Sequence, residues 1–205
     1  MASTDWLRRL RKLCDIHGIL MICDDIQVGC GRTGPFFSFE RAGIVPDLVT
    51  LSKSISGYGG PMSLLLMKPE LDVWEPGEHN GTFRGHQLSF VGAKAALDFW
   101  KTRELERDIA AKEVFLKDFL QTKIVPLREG ITIRGLGMVW GIDLTTSGGG
   151  AFAQRVTSRC FENGLIVERV GRDDTVIKIM PPLNIGMDLL EKGCAIIEEA
   201  ILKSR

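Results

Sequence analysis

The chain has 205 residues, 44% of them hydrophobic, which is enough for a sizeable buried core and excludes a disordered protein. Its 26 basic and 26 acidic side chains cancel, so no global field recruits nucleic acid or an anionic membrane. Five cysteines, an odd number without paired metal-ligand spacing, argue against a secreted disulfide framework or a structural zinc site and fit a reducing cytoplasm.

The opening Met1-Ala-Ser-Thr-Asp5 lacks the basic segment and apolar run of a signal peptide, and no apolar stretch reaches membrane-spanning length. From Thr4 to His17, the spacing of Trp6, Leu7, Leu10 and Leu13 predicts an amphipathic helix, capped near Thr4 or Asp5 and ended by Gly18. Ile19 to Cys23 is a continuous apolar run stopping at Asp24-Asp25, the pattern of a strand buried on both faces in a parallel sheet. Leu48 to Leu51, leading into Ser52-Lys53, and Met62 to Met67 match it. Short buried strands with helical or glycine-rich connections describe an open α/β sheet, whose ligands collect beyond the carboxyl ends of the strands.

Further along, Gln87 to Trp100 and Leu105 to Val125 read as helices. After Gly130 the texture changes. Ile131 to Arg134, Met138 to Leu144, Leu165 to Val170 and Val176 to Met180 read as short strands, with helices at Phe152 to Asn163 and Met187 to Lys203 and a flexible turn at Gly148-Gly149-Gly150. Residues 1–104 and 105–205 are therefore expected to form two domains, the second a smaller α+β one.

A lysine placed directly after a buried strand needs an explanation, because removing its ammonium from water costs several kcal/mol unless it is paired or neutralised. Covalent capture of an aldehyde removes that cost. The small, hydroxylic flanks of Lys53 in Leu51-Ser-Lys-Ser-Ile-Ser-Gly57 leave room for a cofactor and offer donors to a phosphate. Asp24, expected to be buried, is suited to keeping a heterocyclic nitrogen protonated, whereas its neighbour Asp25 points elsewhere in an extended chain and reads as structural. Gln27 returns toward the Asp25 side and approaches the cofactor if the loop bends.

The segment Met21-Ile-Cys-Asp-Asp-Ile-Gln-Val-Gly-Cys-Gly-Arg-Thr-Gly34, with Pro46-Asp-Leu-Val-Thr-Leu-Ser-Lys53, resembles the signature of the class III pyridoxal-phosphate aminotransferases. The resemblance implies the carboxyl-terminal part of a fold type I large domain, with a mainly parallel sheet, followed by the small domain. It gives Asp24 the pyridine nitrogen, Gln27 the ring hydroxyl and Lys53 the cofactor aldehyde. Gly77-Glu-His-Asn-Gly-Thr-Phe-Arg-Gly85 resembles the loop whose threonine, here Thr82, binds the cofactor phosphate of the neighbouring subunit, which implies a dimer or higher homo-oligomer. Ser54-Ile-Ser-Gly-Tyr-Gly-Gly-Pro61, Trp74-Glu-Pro-Gly-Glu-His-Asn-Gly-Thr-Phe-Arg-Gly85 and Cys160-Phe-Glu-Asn-Gly-Leu-Ile-Val-Glu168 look most like the diaminobutyrate branch of the family. The implied reaction exchanges an amino group between glutamate and aspartate 4-semialdehyde, giving 2,4-diaminobutyrate and 2-oxoglutarate, in ectoine biosynthesis.

Two departures stand out. Lys178-Ile-Met-Pro-Pro-Leu183 carries a lysine where many relatives have a carboxylate-clamping arginine, and a lysine cannot make the two-pronged contact. Arg134 and Arg84 are the other cationic candidates. Family chains are also about twice as long, so a truncated chain with poor activity alone is expected. Two competing functions remain at this point, a non-catalytic remnant that pairs with a full-length aminotransferase and a dinucleotide-binding oxidoreductase. The latter is suggested by Gly29-Cys-Gly-Arg-Thr-Gly34, but a true fingerprint joins a strand directly to a helix, and Pro35-Phe-Phe-Ser-Phe39 has no helical periodicity.

Overall fold

The computed structural model describes residues 1–82 and 84–204. They form two compact units, Ala2–Glu106 and Arg107–Arg205.

The first unit opens with α1 (Thr4–His17), where the Ser3 hydroxyl accepts the Trp6 N–H at 3.2 Å and Gly18, with φ 61°, closes the helix in the left-handed conformation. The cap thus falls one residue before the expected Thr4, because Ser3 is extended and its side chain reaches forward. Ile19 still donates its N–H to the Cys14 carbonyl at 2.9 Å, so the helix end consumes the start of the apolar run. Strand β1 is consequently short, Ile22–Asp24. It pairs in parallel with β2 (Leu48–Ser52), Asp24 lying opposite Thr50. Strand β3 (Ser63–Met67) pairs antiparallel with β2, giving the order β1-β2-β3.

The fold class is α/β as expected, but this sheet is mixed. Lys53 to Met62 is too short for the crossover of roughly a dozen residues that a parallel return requires, so β3 must come back antiparallel. One face of the sheet, with Val49 and Leu51, packs on Cys14, Met21, Phe39, Ala42 and Ile44. Alternation sends Ile22, Asp24, Thr50 and Leu65 to the other face. There Ile22 is 61% exposed and Leu65 43%, so the expected burial of β1 on both faces is not observed.

Asp47 ties these elements together. One carboxylate oxygen receives the Met21 N–H at 2.7 Å and Arg11 of α1 at 2.6 Å, while the other pairs with Lys68 beyond β3 at 2.6 Å. The Lys68 bond, the Met21 amide and Arg11 hold this carboxyl well below the usual range.

Helix α2 (Gln87–Asp98) is capped by His86, whose Nδ1 accepts the Ser89 N–H at 3.2 Å. It presses on the turn that follows β2: a Cβ on Gly57 would lie 2.6 Å from that of Ala96, and one on Gly92 2.7 Å from the Ser56 carbonyl oxygen. Only glycine at both positions permits this approach.

Helix α3 (Glu104–Phe119) begins at the end of the first unit and runs into the second, after which the chain widens into a π turn at Leu120–Ile124 and tightens to a 3-10 turn at Val125–Leu127, rather than continuing as one helix to Val125. Strands β4 (Thr132–Leu136), β5 (Val139–Asp143), β6 (Glu168–Val170) and β7 (Val176–Ile179) form an antiparallel sheet in the order β4-β5-β7-β6. Helices α4 (Gly149–Glu162) and α5 (Met187–Lys203) pack on each other. Phe152, Val156 and Cys160 of α4, and Leu190, Cys194, Ile197 and Ile201 of α5, form apolar stripes at three- and four-residue spacing. The glycine run expected to be a flexible turn instead opens α4. Gly150 is needed there because a Cβ would come within 2.4 Å of the Asp173 carbonyl oxygen.

Burial raises the thiols of Cys30 and Cys160 to about 11 and that of Cys194 to about 12, which keeps them protonated packing residues. Among the described residues no helix is long and apolar enough to cross a membrane, and no cluster of ligating side chains is arranged for a metal.

Candidate active site

Asp24 and Lys53 stand at the carboxyl ends of adjacent parallel strands, the place where an open α/β sheet collects ligands. Asp24 is exposed rather than buried. Its Oδ1 accepts the Ile26 N–H at 3.0 Å and faces the Thr50 hydroxyl at 3.4 Å. The carboxylate withdrawn from solvent is Asp25, 2% exposed, which accepts both the backbone N–H (2.8 Å) and the hydroxyl of Ser38. Strand alternation divides the pair: one acid braces the following loop from inside, the other remains on the open face.

Lys53 would fall by simple alternation on the core side with Val49 and Leu51. Its φ of 53° breaks the strand and starts a 3-10 turn, Lys53–Ser56, leaving the lysine exposed and unpaired among the described residues. A positive φ is costly for a residue with a Cβ, and the close seat of α2 on Gly57 supplies a packing constraint that retains this turn. Gln27 lies in the turn closed by the Gly29 N–H to Asp25 carbonyl bond at 2.9 Å, and its side chain is exposed.

Thr82 is exposed and lines a cavity of about 1410 Å³ together with Ile26, Thr50, Ser52, Trp74 and Arg84. Asp24, Gln27 and Lys53 flank the residues of this wall in sequence but are not part of the lining. The structure therefore gathers Asp24 and Lys53 at the strand ends and sets Thr82 across the adjoining cavity.

The cations considered for carboxylate recognition all have partners within the chain. Arg134 reaches Asp143 at 2.7 Å across β4 and β5, Lys178 pairs with Glu168 across β7 and β6, and Arg84 holds His79. No α-helix follows Gly34 before the 3-10 turn Glu40–Ala42. Instead, Phe36, Phe37 and Phe39 form a ring cluster with centroid separations of 4.8 and 5.2 Å, the wrong setting for a dinucleotide fingerprint. Sequence reading missed Thr50 beside Asp24, a pairing visible only in the register. It also missed the Trp74, His79 and Arg84 cluster, whose contacts depend on a loop conformation that no periodicity announces.

The family model for class III aminotransferases matches residues 1–201. The chain belongs to this family. A diaminobutyrate–2-oxoglutarate transaminase of Halalkalibacterium halodurans is 50% identical over 98% of this chain and 46% of its own length. One from Streptomyces anulatus is 51% identical over 94% of this chain and 45% of its own. The chain thus spans about half the length of the curated relatives it matches. Among solved structures, N-acetylornithine aminotransferase from Stenotrophomonas maltophilia superposes with a TM-score of 0.82 at 28% identity, over 98% of this chain and 52% of that one. The architecture is that of fold type I, and the family's cofactor is pyridoxal phosphate.

Proposed function

We propose that this chain is part of a transaminase that exchanges an amino group between glutamate and aspartate 4-semialdehyde, giving 2,4-diaminobutyrate and 2-oxoglutarate for ectoine biosynthesis in the cytoplasm. In this reading residues 1–104 supply the later part of the cofactor-binding domain and residues 105–205 the small domain. The observation that carries it is the placement of an exposed amine and an exposed carboxylate at the ends of two paired parallel strands.

These residues fit pyridoxal phosphate by the chemistry of the donor set: an unpaired primary amine for an aldehyde, an acid for a ring nitrogen, and a hydroxyl in a glycine-rich turn for a phosphate. When bound, the group supplies an electron-withdrawing ring that stabilises negative charge on the substrate carbon. Asp24 Oδ would hold the proton on the ring nitrogen, Gln27 would serve the ring hydroxyl, and Thr82 Oγ would donate to the phosphate of the neighbouring subunit's cofactor in a homodimer or larger assembly. Lys53 Nζ would hold the cofactor aldehyde and would be the base that takes up and returns a proton during amino transfer.

The test is covalent trapping. The purified chain is incubated with pyridoxal phosphate, reduced with borohydride, and digested for mass analysis. Modification concentrated on Lys53 and absent in Lys53→Ala is expected, whereas labelling spread over other lysines at equal yield sinks the proposal.

The open sheet face, with Ile22 and Leu65 exposed, favours one second reading: a non-catalytic chain that pairs with an intact aminotransferase. Co-expression with a full-length relative separates the two, because mixed dimers without Lys53 trapping support only the latter.

A further inference from the structure

Between β3 and α2 lies a side-chain cluster that the chemistry above does not use. The rings of Trp74 and His79 stack with centroids 4.9 Å apart and an interplanar angle of 17°. From Arg84, one terminal nitrogen donates to the His79 carbonyl and the other contacts His79 Nδ1, both at 2.5 Å. Arginine only donates hydrogen bonds, so Nδ1 must be the bare, accepting nitrogen and the ring proton must sit on Nε2. The guanidinium fork therefore ties Arg84 back to His79.

Smaller bonds complete the turn: the Arg84 N–H reaches the Gly81 carbonyl at 3.1 Å, and Asn80 Nδ2 reaches that of Gly77 at 2.8 Å. Thr82 lies between them in sequence, and Trp74, His79, Thr82 and Arg84 all line the same cavity. Two further titratable side chains of the stretch have partners of their own. Glu78 accepts the Glu75 N–H at 2.8 Å, and His86 Nδ1 contacts the Ser89 hydroxyl at 2.8 Å. The cavity wall contributed by β2 and β3 offers Thr50, Leu51, Ser52, Leu64 and Leu65, none of which titrates near neutrality.

We propose that Arg84 is a positioning residue: its fork on the His79 carbonyl and ring nitrogen fixes the presentation of the Thr82 hydroxyl. The functional half of this proposal rests on the reading of Thr82 as a ligand of the cofactor phosphate. Lysine cannot replace the fork, because its single ammonium cannot span two acceptors in one plane.

The experiment follows amide hydrogen exchange at Gly81 and Thr82 in the full chain, corrected for intrinsic rates, beside titrations with pyridoxal phosphate and inorganic phosphate. Arg84→Lys is expected to accelerate exchange there roughly tenfold, the factor for losing one charge-assisted hydrogen bond. His79→Gln, whose side-chain oxygen can accept the same guanidinium N–H, should keep most of the wild-type protection. Protection unchanged in Arg84→Lys overturns the clip. A separate arm judges the ligand: Thr82→Ala with undiminished affinity for both phosphate probes overturns the functional half while leaving the exchange result to stand on its own.

Discussion

The two halves of the chain bury their side chains in different ways. Among the described residues, the largest side chains withdrawn completely from solvent, including Phe152, Ile109, Leu116, Met138, Ile142 and Ile177, all follow residue 107 except Asp25, a charged group braced by Ser38. In the second unit the apolar stripes of α4 and α5 pack on each other, and α4 also packs on β6 and β7. In Ala2–Glu106 the sheet is packed on one face by α1 and the segment through Ile44, while the other face carries Asp24 and Thr50 among exposed aliphatic residues. A cofactor and its substrate need a surface the chain has not already filled, so the less buried region is the one with candidate chemistry.

This contrast can be broken most forcefully at Phe152, fully buried with the Arg128 and Arg155 guanidinium groups 4.5 and 5.5 Å from its ring centre. Phe152→Ala should cost about 3–5 kcal/mol in urea denaturation, and a loss below about 1 kcal/mol would show that this core is not tightly packed.

Next comes Asp47, the polar centre of the first unit. Asp47→Asn leaves the nearly buried Arg11 with only the exposed Asp15 as counter-charge and should cost up to about 3 kcal/mol. Its pH signature has a definite sign. The carboxyl is depressed in the folded state, so its stabilisation is fully present above the ordinary value of 3.8 and is lost as pH falls below it. Wild-type stability should therefore show an acid limb attributable to Asp47, and the Asn variant should show a shallower one in denaturation series from pH 6 to pH 2.

The smallest effect is expected on the open face. Ile22→Thr replaces a β-branched residue that is 61% exposed and should move stability by no more than about 0.5 kcal/mol. A loss of several kcal/mol, read from the same urea curves, would mean that this face is covered in solution.

Helices were the most legible elements. The run Thr4 to His17 and the run Met187 to Lys203 coincide with α1 and α5, because both carry an amphipathic stripe and α1 adds a capping serine and a terminating glycine, all local signals. Strand boundaries were less so. Ile19 and Leu20 have the composition of a strand, yet the closure of α1 at Gly18 takes their backbone first. The direction of β3 depended on the length of a connection rather than on its apolar residues. For the candidate site, Asp24 and Lys53 were suggested by their place after apolar runs and, with Gln27 and Thr82, were assigned by the family resemblance, but the exposure of Asp24 and the commitment of Arg84, Arg134 and Lys178 to internal partners were not legible. Each follows from which residue the fold brings opposite, and periodicity is silent on that.

By itself, then, the order of residues determined the helices, the alternation that separates Asp24 from Asp25, and the motifs that place the chain among the class III aminotransferases. Tertiary structure decided that β3 returns antiparallel, that Asp47 gathers two cations from distant segments, and that Arg84 grips His79 around Thr82. The division has a physical cause. Caps, stripes and alternation act over a few neighbouring residues, whereas ion pairs and register join groups far apart in the chain, whose meeting depends on the whole fold.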